Sequence, residues 1–410
     1  MLINISIKSL PSELKMMIVI KPVLLILELL QVPFLFLLVI ISRVIPKKID
    51  IGIGPDPLIN NIFHKKALVK FGYSSETFCL KPYYITNEFD YIFGGQGVIN
   101  RIYQCLFRPL FIFSCLRYRS LLIYFNGGPL YPYSLFLWKL EPLLLKVAGI
   151  PVVVLAYGGD VQDLLRTPNL YFRHTVMQDY PRHKTRTLLI RKKIELWTQH
   201  ASHIVGGCDW VDYLYHWDSL MISHFAIDTD AIENPPKSTT DKKSFSVLHA
   251  PNHRQIKGTQ HIIDAVQSLK AKGYDIELTL IEKCSNQEVL EKINQADLIV
   301  DQLVIGWYAM FAIEAMSRGK PVICYLREDL IQLYENANLL NRNEIPMINS
   351  DCAKIEETLE SLLLNREILK LKGEDGVDYV SKHHSLEFIG KSFRDIFKSI
   401  NILPSLKIHE

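Results

Sequence analysis

From residue 47 onward, short apolar runs that end in glycine or a polar turn alternate with longer segments whose apolar positions recur every three or four residues. The first run, KIDIGIG, ends in the loop GPDPLINN and leads into a helical pattern through Leu68 and Val69 to Gly72. FDYIFGG, LLIYFNGG and IPVVVLAYGGD repeat the strand pattern, with helical segments between them such as Leu135 to Ala148, and HIVGGCDW adds a further strand. Such alternation predicts a parallel sheet covered by helices on both faces.

The pattern breaks at NPPKSTTDKK, residues 234 to 243, where prolines, hydroxyl residues and charges replace any apolar period. It then restarts. FSVLHAP reads as a strand, Thr259 to Lys272 as an amphipathic helix, IELTLIE as a strand, Asn286 to Asn294 as a helix and ADLIVDQL as a strand. A helix ending at Arg318-Gly319 and the strand PVICYL complete the set, and His383-His384 read as the opening of the final helix. The fold class is therefore α/β, with two Rossmann-like domains facing a cleft between their strand C-termini. The division is a hydrophobic segment 1–46, a first domain 47–233, a linker 234–244, a second domain 245–385 and a closing helix 386–410.

From Val23 to Ile41 nearly every residue is Leu, Ile, Val or Phe, close to the roughly 20 residues that cross a bilayer. Glu28, Gln31 and Pro33 interrupt it, and the basic flank Arg43, Lys47 and Lys48 follows without a small-residue cleavage site. A spanning helix, an in-plane anchor and a helix packed on a partner all fit; partial insertion is the preferred reading, since mid-membrane polar groups are costly. Residues 101 to 119 interleave Arg101, Arg108, Arg117 and Arg119 with Phe107, Leu110, Phe111, Ile112 and Phe113, a stripe fitting either anionic headgroups or the domain core.

Composition narrows this little. Of 410 residues, 49% are hydrophobic and 22% charged, which is the balance of a folded protein. A formal charge of +3 is too dilute for nucleic acid. Seven scattered cysteines without a CxxC pair read as reduced thiols, pointing to a cytoplasmic setting.

The segment HAPNHRQIKGT, residues 249 to 259, lies between a strand and a helix, so its backbone N–H groups face an anion site at the positive end of a helix dipole. Arg254 and Lys257 add cations beside it; a solvated turn is the alternative. Glu314 sits in an apolar stretch, Phe311-Ala312-Ile313 before it and Ala315-Met316 after it, and is either exposed or committed to a ligand such as a ribose diol. Tyr157 and Asp160 end a strand in a Gly-rich turn, a position that carries either catalytic groups or a structural aspartate. GIGPDP lacks the third glycine of a dinucleotide fingerprint and reads as a cleft-facing loop; His249 and His253, separated by Pro251, lack a third metal ligand.

KGT with its following helix, then ADLIVDQL, then a glycine-aromatic loop and IEAMSRGKPVI resemble the donor domain of GT-B glycosyltransferases, in particular the retaining family 4 (glycosyl transferases group 1). The resemblance covers residues 245 to 325, weakly 151 to 230, and the closing segment VDYVSKHHSLEFIGKSFRDIF resembles the helix that returns to the first domain. It implies that Arg254, Lys257 and Gly258 hold a donor diphosphate and that Glu314 holds the nucleotide ribose; the placement of Tyr157 and Asp160 after a strand adds them to Arg254 and Lys257 as catalytic candidates. Two positions depart. Gly306 stands where the family carries a glutamate on the donor sugar, leaving Asp301, Gln302, Trp307 and Tyr308 as substitutes, and Tyr157 stands where it carries histidine. The implied activity is sugar transfer from a nucleotide-diphosphate sugar without metal or other cofactor, and the apolar N-terminal segment adds the expectation of a glycan or lipid-linked acceptor in surface-polysaccharide assembly on the cytoplasmic face of the membrane. A non-catalytic nucleotide-sugar-binding scaffold is the rival, and an NAD enzyme ranks below both.

Overall fold

The structure, a computed structural model, describes residues 12–83, 86–95, 97–232 and 244–406. Twelve strands occur among them: β1 (Ile49–Ile53), β2 (Ser75–Cys79), β3 (Tyr91–Ile92), β4 (Tyr118–Tyr124), β5 (Val152–Leu155), β6 (His203–Gly206), β7 (Ser219–Leu220), β8 (Phe245–His249), β9 (Ile276–Leu280), β10 (Leu298–Val300), β11 (Val322–Cys324) and β12 (Ile348–Asn349). The first seven form one sheet in the order β3-β2-β1-β4-β5-β6-β7, and the last five a second sheet in the order β12-β11-β10-β8-β9. Every pairing within both sheets is parallel. The linker 234–244 falls almost wholly outside the described residues.

The strand orders matter for function. In the first sheet the chain runs outward from β1 to β3, then returns and runs the other way from β4. In the second it runs from β8 to β9 and returns to β10. Each sheet thus has a point where neighbouring crossovers diverge, between β1 and β4 and between β8 and β10. Loops leaving the strand C-termini there splay apart and open a crevice, the usual ligand site of such sheets.

The terminal helix Leu386–Ser399 crosses back to the first domain and buries Ile389, Phe393 and Phe397 beside Ile51, Ile53 and Leu68. The approach to helix Asn60–Lys70 is close enough that a Cβ on Gly390 would stand 2.6 Å from Ala67 O, so the contact depends on glycine. His383 and His384 close the preceding helix, Glu367–His384, instead of opening the last one; Ser385 caps the helix that follows, accepting from Phe388 N. The segment 135–148 is also broken, into a short turn at Leu137–Lys139 and a helix Glu141–Val147, because Pro142 can occupy only a first helical turn.

The N-terminal helix Ser12–Val44 contains a stretch, Lys21–Val44, that is long and apolar enough to cross a membrane. One stripe of it nevertheless packs on the first domain. Glu28, Leu35, Val39 and Ser42 are buried, while Ile26, Leu30, Phe34, Leu37 and Ile40 remain exposed. Glu28, only 2% exposed, pairs with Arg108 at 2.8 Å and accepts from the backbone N–H groups of Leu135, Phe136 and Leu137. Residues 101 to 119 divide between the two readings: Leu110 and Phe111 are buried in the domain, whereas Ile102 and Phe107 stay exposed. Arg108 meets Glu28, Arg117 meets Glu76 and Arg119 meets Asp50, so three of the four cations serve internal ion pairs.

Candidate functional site

At the β8/β10 divergence, β8 ends in His249, whose Nδ1 lies 2.8 Å from Val300 O and Nε2 2.9 Å from Thr259 Oγ1. Both nitrogens brace the sheet edge. A four-residue helix, Arg254–Lys257, follows and is closed by Gly258 at φ 73°, a left-handed turn that suits glycine and lets helix Thr259–Ala271 begin at once. Lys257 turns inward, its Nζ 2.6 Å from Oδ1 of the buried Asp301 just beyond β10, and Asp301 Oδ2 accepts from Ala309 N at 3.3 Å. Arg254 turns toward the sheet edge and grips Glu282 through Nε and Nη2 at 2.9 and 2.7 Å, half exposed.

The two cations of the sequence expectation therefore have separate counter-ions. The amide side of the expected anion site is engaged as well: Ile256 N donates to Asp179 Oδ2 at 3.0 Å, a carboxylate from the first domain. Helix Leu170–Asp179 lies along this turn, with Leu164, Phe172, Val176, Ile256 and Val304 forming an apolar seam between the domains. Tyr180 OH meets His253 Nε2 at 2.5 Å on the same seam.

Glu314 is committed, not exposed. It is 6% exposed on helix Met310–Met316, and its Oε1 accepts from Asn286 Nδ2 at 2.8 Å. Asn286 is fixed by a capping box at the start of its helix, in which Ser285 Oγ and Glu288 exchange hydrogen bonds with each other's backbone. Burial pushes the Glu314 carboxyl up to about 7, opposed by Asn286 and by Arg318.

The glycine at position 306 has a steric basis. Gly306 sits at φ 101°, and a Cβ there would stand 2.5 Å from Arg327 Cγ and Cδ. The Arg327 stem fills the space a glutamate would need, and its guanidinium spans the domains, meeting Asp212 at 2.5 Å and Asp329 at 2.5 Å. Trp307 and Tyr308 are buried. Trp307 Nε1 donates to Ile222 O at 3.2 Å, and Tyr308 OH lies 3.0 Å from Tyr379 OH and 2.9 Å from His384 Nε2. Gln302 Nε2 donates to Trp307 O, while its Oε1 is buried without a partner among the described residues. These three hold the 301–309 loop in shape, with the Trp307 and Tyr308 rings spent on protein contacts.

At the β1/β4 divergence, Asp160 is fully buried and acts as a tie: Oδ1 accepts from Tyr157 N and Gly158 N at 3.0 Å each, and Oδ2 from Phe125 N at 3.1 Å. Burial raises its carboxyl to about 7 against those backbone donors. Tyr157 OH accepts from Asn126 Nδ2 at 2.6 Å. Asn126 also reaches Asp56 Oδ1 at 3.1 Å and accepts from Lys193 Nζ at 3.3 Å.

Sequence reasoning did not single out Asn126, Lys193 or Arg327. Lys193 had a signal: in helix Thr187–His200 it lies three residues after Ile190 and four before Trp197, on the same stripe as Ile194, and those four positions are the buried ones. The run Arg191-Lys192-Lys193 reads as a wet face until that phase is counted.

Two parallel sheets, each with its crevice at the strand C-termini, recur in solved structures. HepE of Anabaena, crystallised with UDP-glucose, matches with a TM-score of 0.56 at 10% identity, over 86% of this chain and 100% of that one. The fold is that of the GT-B glycosyltransferases. A glycosyltransferase of Rickettsia africae matches at TM-score 0.52 and 12% identity, over 87% of this chain and 99% of that one. An alpha-glucosyltransferase bound to UDP and a DNA 13-mer matches at 0.52 and 13%, over 86% and 100%. No family model and no curated protein matches the sequence. At such identities the GT-B likeness is a likeness of fold, and the groups at the two crevices must carry any reading of function.

Proposed function

We propose that this chain is a glycosyltransferase that takes a sugar from a nucleotide-diphosphate donor, a UDP-sugar in the first instance, and passes it to a lipid-linked glycan acceptor at the cytoplasmic face of the membrane during polysaccharide assembly. One observation carries the reading: the β8/β10 crevice holds the inward-turned Lys257 and a buried, amide-anchored Glu314 on the same sheet edge. A cation for phosphate and a carboxylate for a ribose diol are what a nucleotide needs, in a fold whose solved relative HepE was crystallised with UDP-glucose.

In this reading the bond from the anomeric carbon to the diphosphate breaks, its electron pair passes to phosphate oxygen, and the acceptor oxygen bonds to the same carbon. Lys257, Arg254 and backbone N–H groups near Gly258 and Gly306 offset the charge that develops on the phosphate, with no metal or other cofactor assigned. Retention of anomeric configuration follows the family 4 resemblance, and the leaving phosphate takes the acceptor proton. Tyr157 and Asp160 shape the opposite wall, Asp160 by fixing the turn on which Tyr157 stands.

The membrane part rests on the N-terminal helix. Its exposed stripe of Ile26, Leu30, Phe34, Leu37 and Ile40 lies opposite the stripe that grips the domain, which favours a helix lying in the interface, since crossing would pull Glu28 away from buried Arg108.

A scaffold that binds nucleotide sugar without turnover is the second reading, favoured by the engagement of Arg254 with Glu282 and of Ile256 N with Asp179. A thermal-shift panel of UDP, GDP, CMP and their sugar conjugates tests the donor site. UDP at a hundred times its dissociation constant should add about 2.7 kcal/mol of stability, and Glu314→Gln should weaken the gain. A melting point indifferent to every nucleotide overturns the donor-site reading, and sugar transfer to any acceptor eliminates the scaffold.

A further inference from the structure

Asp56 follows β1 and Asn126 follows β4, so the two side chains meet where the first sheet's crossovers diverge. Asp56 Oδ1 accepts from Asn126 Nδ2 at 3.1 Å, whereas Oδ2 is out of solvent and has no hydrogen-bond partner among the described residues. On the other side of the same amide, Lys193 Nζ donates to Asn126 Oδ1 at 3.3 Å and stands 3.6 Å from the Tyr131 ring centroid. Lys193 is 3% exposed, and an ammonium has three N–H bonds to place. A buried carboxylate oxygen and a buried ammonium with spare donors are thus bridged by an amide without forming an ion pair.

Leaving either valence empty in a low-dielectric crevice costs about 1–3 kcal/mol. A sugar hydroxyl can satisfy either valence, because it donates through its hydrogen and accepts through its lone pairs. The surroundings suit a sugar ring: Tyr131 lies under the ammonium, and Tyr83 and Arg186 lie close enough to act on Asp56 or on each other electrostatically. Tyr157 and Asp160 face the cluster from the β5 loop, and Glu141 fixes the loop after β4 by accepting from Gly128 N and Leu130 N at 2.9 and 2.5 Å. Burial raises the Asp56 carboxyl to about 6 and lowers the Lys193 ammonium to about 8, the directions expected of charges short of partners. Tyr180, which meets His253 of the donor turn, links the Tyr83 and Arg186 side of this crevice to the other domain.

We propose that Asp56 and Lys193, joined through Asn126, form the acceptor subsite and bind a hydroxyl of the sugar headgroup on a lipid-linked acceptor. The proposal deepens the glycosyltransferase reading and rests on it. Asp56 and Lys193 position the acceptor; no proton transfer is assigned to either.

The test uses the full chain, a UDP-sugar chosen by the binding panel, and the lipid fraction of the host membrane as acceptor. Asp56→Asn should leave the melting point unchanged and UDP affinity within twofold of the parent while the apparent KM for the lipid fraction rises at least tenfold. Lys193→Gln should behave in the same way, so that a folding defect in one variant does not leave the matter to that variant. Unchanged acceptor KM in a folded variant overturns the subsite and leaves the donor reading standing. A parent chain that binds UDP but transfers nothing to the lipid fraction overturns the lipid acceptor and the subsite together, whereas one that binds no nucleotide overturns the function from which both were argued.

Discussion

The two crevices lie at equivalent points of their sheets and manage buried charge in opposite ways. At β8/β10 the cations are matched in direct contact, Lys257 with Asp301 and nearby Arg254 with Glu282 and Arg327 with Asp212, while the Glu314 carboxyl is held by the Asn286 amide. At β1/β4 the cation and the carboxylate are held apart by Asn126, and one oxygen is left without a partner among the described residues. A matched site can admit a strongly charged ligand by exchanging counter-ions, which suits a diphosphate. An unmatched site is completed by a neutral ligand that both donates and accepts, which suits a hydroxyl. In the proposed reading, the difference places the diphosphate at the second domain's crevice and the acceptor hydroxyl at the first.

The sharpest way to break this contrast is to remove one lysine from each crevice. Lys257→Met strands the fully buried Asp301 carboxylate and should destabilise the fold by about 3–5 kcal/mol. Lys193→Met removes a buried ammonium that has no direct carboxylate contact among the described residues, so the melting point should hold or rise. Chemical denaturation of both variants decides it, and equal losses would erase the distinction between matched and unmatched sites.

A smaller effect concerns Glu314. Its carboxyl titrates at about 7, raised by burial, so the group is mostly protonated at pH 6 and mostly ionised at pH 8. A ribose diol donates its hydrogen bonds to the ionised form, so UDP-glucose affinity should increase about tenfold from pH 6 to pH 8 as the carboxylate becomes available. The same shift sets the sign for stability. A carboxyl raised in the folded state contributes stability below its unfolded value near 4.5 that is lost as pH climbs through 7. Calorimetric titration at both pH values checks the binding effect, and Glu314→Gln should flatten it. A flat profile in the parent would remove Glu314 from the nucleotide site.

Most strands were legible because each is a short apolar run closed by a turn, and KIDIGIG, LLIYFNGG and FSVLHAP all contain strands where that pattern puts them. Ser75–Cys79 was not, because its polar residues are used laterally: Glu76 pairs with Arg117, and Thr77 with Asp90. The same blindness hid the grip of the N-terminal helix. Glu28, Leu35 and Ser42 recur every seven residues on the packed stripe, but without Arg108 in view Glu28 looks like a flaw in a membrane segment. In the candidate site, Lys257 and Glu314 stood out by type and context. Asp56 and Asn126 did not, since their significance lies in meeting across 70 residues at the end of neighbouring strands.

Arg254 gives the smallest effect on stability and the finest test of the comparison. Its pair with Glu282 lies half exposed, so Arg254→Ala should leave the melting point unchanged. If counter-ion exchange is how the matched crevice accepts a diphosphate, the guanidinium must leave Glu282 when nucleotide binds. Arg254→Ala should then weaken UDP affinity about tenfold, the scale of one lost charge-assisted contact. Glu282→Gln should strengthen it, because the cation is released in advance. The opposite signs are the test: two variants of one ion pair that both leave UDP affinity unchanged would show that phosphate never reaches Arg254, and the charge compensation would fall to Lys257 and the turn's backbone alone.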